Sequence, residues 1–368
     1  MEGANWRQFD FWLLGAVALL TIFGITMIRS TTAGNIELEE ANVVQRQIIF
    51  ALGGFVVVFI ASAVDYHLFS AITQPLLIVT GLLLAALTIA GQALYGSARW
   101  FDTGVILIQP SEIAKIVVIL VLADFFARNQ ERMGNLLWIG RSLLYTLWIV
   151  AWIYLQPNLS TSLVILVIWF ALLWASGLKV KYLVIFGISA VALAFVAYPF
   201  LEDYQKDRIT NFLFPDPNAT HGETYNIQQA LISIGSGGLF GKGYFQGTQN
   251  HLRFLKVRWS DFIFSSSAEE FGFIGMVILM LVLIFIVYRC LRIAMQSRDT
   301  YGAFIAYGVA TLLAFQGMVN IGVNLKLLPA TGLPLPFVSY GGSALLSLLL
   351  GVGLVESVAL RRKLVDSG

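Results

Sequence analysis

The sequence is short of charge. Only 12% of its 368 residues are Asp, Glu, Lys or Arg, about half of the roughly 25% with which a soluble domain solvates its surface. That shortage excludes an ordinary water-soluble protein, and the 58% hydrophobic content excludes a disordered chain. Cysteine is nearly absent. The single Cys290 permits no internal disulfide and no Cys-based metal site. His67, His221 and His251 lie far apart and lack the ligand spacing of zinc. An excess of one charge sign is missing too: the formal net charge is +2, which argues against nucleic acid as a partner. There is no internal repeat and no low-complexity tract.

What the sequence has is long apolar runs. They fall near 10 to 29, 48 to 65, 72 to 91, 111 to 127, 141 to 156, 159 to 176, 182 to 202, 262 to 289, 302 to 324 and 341 to 360. Each approaches or exceeds the ~18 to 20 residues that cross a hydrocarbon core. The expected fold is therefore an all-α polytopic membrane protein of about ten transmembrane helices, forming one domain over 1–368. Arg29 bounds the first run without a small-residue cleavage site, so that run reads as a span and not as a signal peptide.

An even number of spans puts both termini on one side. The short segments on that side hold Arg7, Arg128, Arg132, Arg141, Lys179, Lys181, Arg289, Arg292, Arg298, Arg361, Arg362 and Lys363, twelve in all, against Arg29, Arg46, Arg99 and Lys326 opposite. Positive residues concentrate in cytoplasmic loops, so both termini are expected in the cytoplasm. Residues 203–261 then form a large extracytoplasmic loop. Phe212, Tyr225, Ile227 and Leu231 give it enough apolar surface to pack, and a loop of that length is uncommon unless it has a function. Residues 325–340, with prolines at 329, 334 and 336, cannot form a regular helix and are expected to be a re-entrant or irregular outer segment.

Four groups of residues carry chemistry. Gln109-Pro110-Ser111-Glu112-Ile113-Ala114-Lys115 opens the fourth span. Proline at the first helical position and an early Glu are ordinary helix-start features, but a lysine there is disfavoured by both dipole and bilayer. Glu112 and Lys115, three apart, can pair; a structural pair and a ligand-facing pair are both open readings. Ile234 to Gly243 resembles a phosphate loop but fails its tests, with Ser236 and Gly243 in the wrong places. Its glycines suit tight turns and close approach to another backbone or ligand, and Lys242 could meet an anion there. Arg258-Trp259-Ser260-Asp261 ends in a natural helix cap. Glu269 and Glu270 follow within the same span, and three carboxylates so placed suggest a polar cavity. In Leu327 to Ser343, Ser339 can cap the last helix, and the amides of Tyr340, Gly341 and Gly342 could then be presented to an anion. The Asn218-Ala219-Thr220 triplet has glycosylation form but a high chance frequency.

With those residues in view, the chain resembles the SEDS family, the shape, elongation, division and sporulation proteins of bacterial cell-wall synthesis. The likeness runs through Gly96 to Trp100, Gln109 to Lys115, Gln156-Pro157, Ile234 to Gly243, Ser260 to Phe264 and Leu333 to Ser343. Ser236 to Gly243 followed by Gln246-Gly247-Thr248-Gln249 is closer to the elongation members than to the division members. One departure stands out: Asn158 occupies a position where the family usually has Asp.

The resemblance implies a peptidoglycan glycosyltransferase of the bacterial cytoplasmic membrane. It would polymerise lipid II into a nascent glycan and work with a class B penicillin-binding protein, a transpeptidase. The family's catalytic Asp maps onto Asp261, and its important Glu and Lys onto Glu112 and Lys115. A carboxylate whose pKa is raised by burial or by Glu269 could take the proton of the attacking sugar hydroxyl. Lys115, Arg99, Arg208, Lys242 or a divalent cation such as Mg or Mn should stabilise the departing diphosphate. Ser339, Gly341, Gly342 and Ser343 are expected beside the substrate, with Asn158, Glu269 and Glu270 in a secondary polar cavity. The alternatives are a division-specific polymerase and a lipid II flippase or other transporter, which would show paired broken helices in two halves and polar groups reaching both faces.

Overall fold

The computed structural model describes residues 6–34, 42–95, 99–102, 107–132, 135–216, 219 and 221–362. Gly96, Ser97 and Ala98 of the first family motif, Asn218 and Thr220 of the glycosylation triplet, and Lys363 lie outside the described residues. In chain order the helices are α1 (Phe11–Thr32), α2 (Val43–Ala63), α3 (His67–Tyr95), α4 (Pro110–Asn129), α5 (Leu136–Leu155), α6 (Leu159–Ala175) and α7 (Val180–Ala197). Then come α8 (Asp203–Leu213), α9 (Gly222–Gly237), α10 (Thr248–His251), α11 (Ile263–Met295), α12 (Thr300–Asn324) and α13 (Gly342–Ala359). A two-stranded ribbon, β1 (Phe101–Asp102) antiparallel to β2 (Leu107–Ile108), leads into α4.

Ten of these helices coincide with the ten apolar runs, so the polytopic α-helical architecture is the one expected. Seven of them, α1, α2, α3, α5, α11, α12 and α13, are long and apolar enough to cross a membrane by length and composition. Helix α6, of 17 residues, is a shorter apolar segment, and α4 carries Glu112, Lys115, Asp124 and Arg128 in its 20 residues. It tolerates them because it is interior: Ala114 and Ile116 to Phe126 are buried almost without interruption. Helices α12 and α13 are the other interior members, with 67% and 78% of their apolar windows buried against 22% to 39% for the peripheral spans. Polar side chains fix where the helices begin. Asp10, Asn135, Asn158 and Asp299 each accept a bond from a first-turn amide, of Leu13, Leu137, Thr161 and Gly302 respectively, and each such cap contributes about 1 kcal/mol.

The eighth span is not one continuous helix. Gly272 has φ 67° and ψ −169° inside α11, a conformation that only glycine adopts without strain. The backbone groups freed by this break are taken by the glycine-rich segment. Phe273 and Ile274 amides donate to the Gly238 and Leu239 carbonyls at 2.9 and 3.1 Å, while Lys242 and Gly243 amides donate to the Glu269 and Glu270 carbonyls at 2.9 and 3.0 Å. A Cβ on Gly241 would lie 2.1 Å from the Glu270 carbonyl oxygen. The close approach expected of these glycines is thus to another backbone. Residues 325–341 contain no helix, yet Leu333, Leu335, Phe337 and Val338 are buried, as an irregular segment within a bundle must be.

Candidate active site

A cavity of about 340 Å³ opens where α4, α6, α8 and the starts of α11 and α13 meet, within the size range of small-molecule sites. Arg99, Glu112, Asn158, Arg208, Asp261 and Gly341 all line it. The fold thus gathers residues spread over more than two hundred positions of sequence.

Asp261 stands on the last turn before α11. The helix is capped by Phe262 and uses no side-chain cap, which overturns the cap reading of Ser260 and Asp261. Instead the Ser260 hydroxyl donates to Asp261 Oδ1 at 2.6 Å. The backbone of this residue is held from α12: Asn320 and Asn324 amides donate to the Asp261 carbonyl at 3.1 and 3.0 Å. Neither asparagine was picked out from the sequence, although two amide side chains four apart in an apolar span are a readable signal. Burial pushes the Asp261 carboxyl above its ordinary value of 3.8, opposed by the Ser260 bond and the positive charge of Arg208. Of the two causes expected, burial or Glu269, burial is the one that raises it.

Two guanidinium groups line the same cavity as Asp261, one positioned by backbone and one by side chains. Arg99 donates to the Gln156 carbonyl at 2.8 Å and the Pro157 carbonyl at 2.5 Å, so the turn between α5 and α6 sets its direction. Arg208 pairs with Glu223 at 2.9 Å and lies over the Tyr204 ring, while Tyr204 donates to the Pro157 carbonyl at 3.1 Å. Asn158 caps α6 through its side-chain oxygen.

Glu112 reaches the cavity wall, but Lys115 does not. The ammonium of Lys115 is fully buried behind Glu112, 2.7 Å from Oε2. Direct contact of Lys115 with a ligand is therefore corrected to contact through Glu112. The Ser347 hydroxyl also donates to Glu112, at 3.3 Å.

Other expectations fail for identifiable reasons. Lys242, Glu269 and Glu270 do not line the cavity. Glu269 accepts from Lys242, Thr248 and the Gln249 amide, at 2.7, 2.9 and 3.1 Å. Glu270 accepts from Ser30, the Phe245 amide and Asn250, at 2.5, 3.1 and 3.2 Å. The two acids clamp residues 242–250 onto the broken helix instead of forming one cavity with Asp261. Ser339 does not cap α13, whose cap is Gly341. It donates to the Ser260 carbonyl at 2.7 Å and accepts from the Leu335 amide at 2.8 Å. Two of the three amides of the expected anion cradle are taken: the Tyr340 amide donates to the Trp259 carbonyl and the Gly341 amide to Gln47. Gly342 faces Phe50, whose ring would lie 2.3 Å from an added Cβ, and the Ser343 hydroxyl accepts from the Gln109 amide at 3.1 Å.

A family model of cell cycle proteins, covering FtsW, RodA and SpoVE, matches residues 11–364. The chain is 36% identical to the probable peptidoglycan glycosyltransferase FtsW of Trichlorobacter lovleyi, over 97% of this chain and 94% of the relative. It is 34% identical to the peptidoglycan glycosyltransferase MrdB of Escherichia coli, over 96% and 95%. Among solved structures, one chain superposes with a TM-score of 0.79 at 30% identity, covering 96% of this chain and 98% of the other. That structure is described as a peptidoglycan synthase complex coordinating polymerization and crosslinking.

Proposed function

Since the chain belongs to the FtsW, RodA and SpoVE family of cell cycle proteins, and its close relatives are peptidoglycan glycosyltransferases, we propose that it polymerises lipid II at the Asp261 cavity. The carrying observation is the half-buried Asp261 carboxylate, facing a cavity that also holds two guanidinium groups. Asp261 takes the proton of the acceptor sugar's 4-hydroxyl while that oxygen bonds to the donor's anomeric carbon. The bond from that carbon to the diphosphate oxygen breaks, and its electron pair leaves on the diphosphate. Attack from the opposite face inverts the donor's α-linkage to a β-linkage, and no general acid is needed because a diphosphate is a good leaving group. Arg99 and Arg208 would meet the charge developing there, and preorganised donors of that kind are usually the largest single contribution to catalysis.

Any divalent cation would enter as the counter-ion of the diphosphate. Among the described residues no three His, Cys, Asp or Glu side chains converge as a metal site, and Glu112 is already neutralised by Lys115. A flippase is disfavoured by the interior of α4. Between Glu112 and Lys115 at one end and Asp124 at the other, every residue from Ile116 to Ala123 is apolar and buried, so that helix offers no polar path. The synthase-complex likeness supports a class B penicillin-binding protein as the partner, and the stretch from Ser236 to Gln249 supports a role in cell elongation.

Asp261→Asn tests the reading. Loss of a general base costs about a hundredfold to ten-thousandfold in rate, so the variant should unfold at the wild-type temperature yet leave lipid II unpolymerised. Wild-type glycan chains from it would overturn the assignment.

A further inference from the structure

A second polar cavity, of about 430 Å³, lies between the beginning of α3, the end of α4 and the beginning of α5. Asp124, on its wall, is twelve residues beyond Glu112, roughly 18 Å along the helix at 1.5 Å per residue. The polymerase reading makes no use of it.

Its charges do not simply cancel. Asp124 is neutralised within the wall by Arg128 at 2.8 Å and accepts from the Ser70 and Thr73 hydroxyls at 2.5 and 3.3 Å. Arg128 in turn donates to the Ser70 carbonyl and hydroxyl. The facing wall is aromatic and braced: Trp138 packs on Phe125 at 5.9 Å, and Tyr145 meets Phe125 edge-on at 5.5 Å. The guanidinium groups of Arg132 and Arg141 each lie 5.1 Å from the Trp138 ring. Arg141 lines the cavity and is exposed, so it supplies a positive charge that Asp124 does not consume.

Beside the mouth, α3 and α5 present exposed apolar side chains. Ile78 is one turn from Gln74 on α3, and Leu144 and Trp148 are one and two turns from Arg141 on α5, so each pair shares a helix face. Ile78, Leu144 and Trp148 are 53%, 66% and 41% exposed, and α3 packs against α5. A free phosphate would use the mouth alone. A molecule with a phosphate and a hydrocarbon chain would use both. Trp138 is also the residue type that sits at the level of lipid headgroups.

We propose that this cavity binds an anionic membrane phospholipid, with its phosphate diester at Arg141 and Arg132 and an acyl chain along Ile78 and Leu144. An arginine near an anionic lipid surface contributes a factor of about five in affinity.

Full-length protein in phosphatidylcholine nanodiscs would be titrated with phosphatidylglycerol and the bound lipid counted by native mass spectrometry. One phosphatidylglycerol should be retained in preference to phosphatidylcholine. Arg141→Gln should weaken that retention about fivefold, and combination with Arg132→Gln about twentyfold or more. Leu144→Gln should weaken it by a separate, apolar route. All three positions are exposed, and thermal unfolding checks that each variant is folded. Equal retention by wild type and the double arginine variant, or no preference over phosphatidylcholine, would overturn the proposal. Displacement by millimolar inorganic phosphate would also overturn it, since the site would then take a soluble anion.

Discussion

In the proposed reaction Asp261 is the base, and the groups around it make its pH behaviour predictable. Desolvation raises its pKa, and Arg208 opposes the rise. A base works only when deprotonated, so polymerisation should fall on the acid side at a pH above the ordinary aspartate value of 3.8. Arg208→Gln removes a charge that favours the carboxylate, so it should move that acid limb to higher pH; an unmoved limb in a pH profile of lipid II consumption would show that Arg208 does not act on Asp261. The Glu112 and Lys115 pair gives a second test. Removing one partner of a buried ion pair costs about 3 to 5 kcal/mol, whereas replacing both is often neutral. Lys115→Met should therefore lower the unfolding temperature sharply, and Glu112→Gln combined with Lys115→Met should recover it. Activity should stay low in the double variant, because Glu112 lines the cavity; recovery of both stability and activity would make the pair purely structural. The spacing of Glu112 and Lys115 made their pairing readable from sequence. Which member faces the cavity was not readable, because it depends on how α4 is rotated against α13.

At the scale of elements, apolar length located ten helices with ends off by up to six residues, since the bilayer imposes a length but not where each helix caps. It could not show the break in α11. Gly272 sits inside a run from Ile263 to Met295 that reads as continuous, and its conformation is fixed by contacts with Gly238 to Gly243, thirty residues earlier. Nor could it assign Lys242, whose partner Glu269 lies 27 residues away. Gly272→Ala should be destabilising by about 1 to 3 kcal/mol or more, from a positive φ and a Cβ placed 2.2 Å from the Gly241 amide nitrogen. Gly235→Ala, within α9 and with nothing within 4 Å of the added Cβ, should instead stabilise by roughly 0.5 to 1 kcal/mol. Thermal unfolding of the two variants side by side checks the contrast; equal effects would mean that the break contributes no specific constraint.

For the whole molecule, the uneven Lys and Arg count predicts which end faces the cytoplasm. The sole cysteine, Cys290, is fully buried, so a single added cysteine reports without background. Asp203→Cys should react with an impermeant maleimide on intact spheroplasts, and Glu131→Cys only after permeabilisation; labelling of both from outside would sink the ten-span topology. The interruption at Gly272 matters at this scale too, and its consequence is mechanical. An unbroken helix of 33 residues, about 50 Å long at 1.5 Å per residue, would act as a lever, carrying any tilt imposed by bilayer thickness straight to its end beside Asp261. The interruption divides that lever: residues 263–271 are held to α12 through Asn324, which accepts from Ser265 at 2.6 Å, while Phe273 and Ile274 are tied to the Gly238 and Leu239 carbonyls, so the two parts of α11 are braced by different elements. In the proposed polymerase, the separate braces would keep a tilt set by membrane thickness from running along one straight helix to the Asp261 carboxylate.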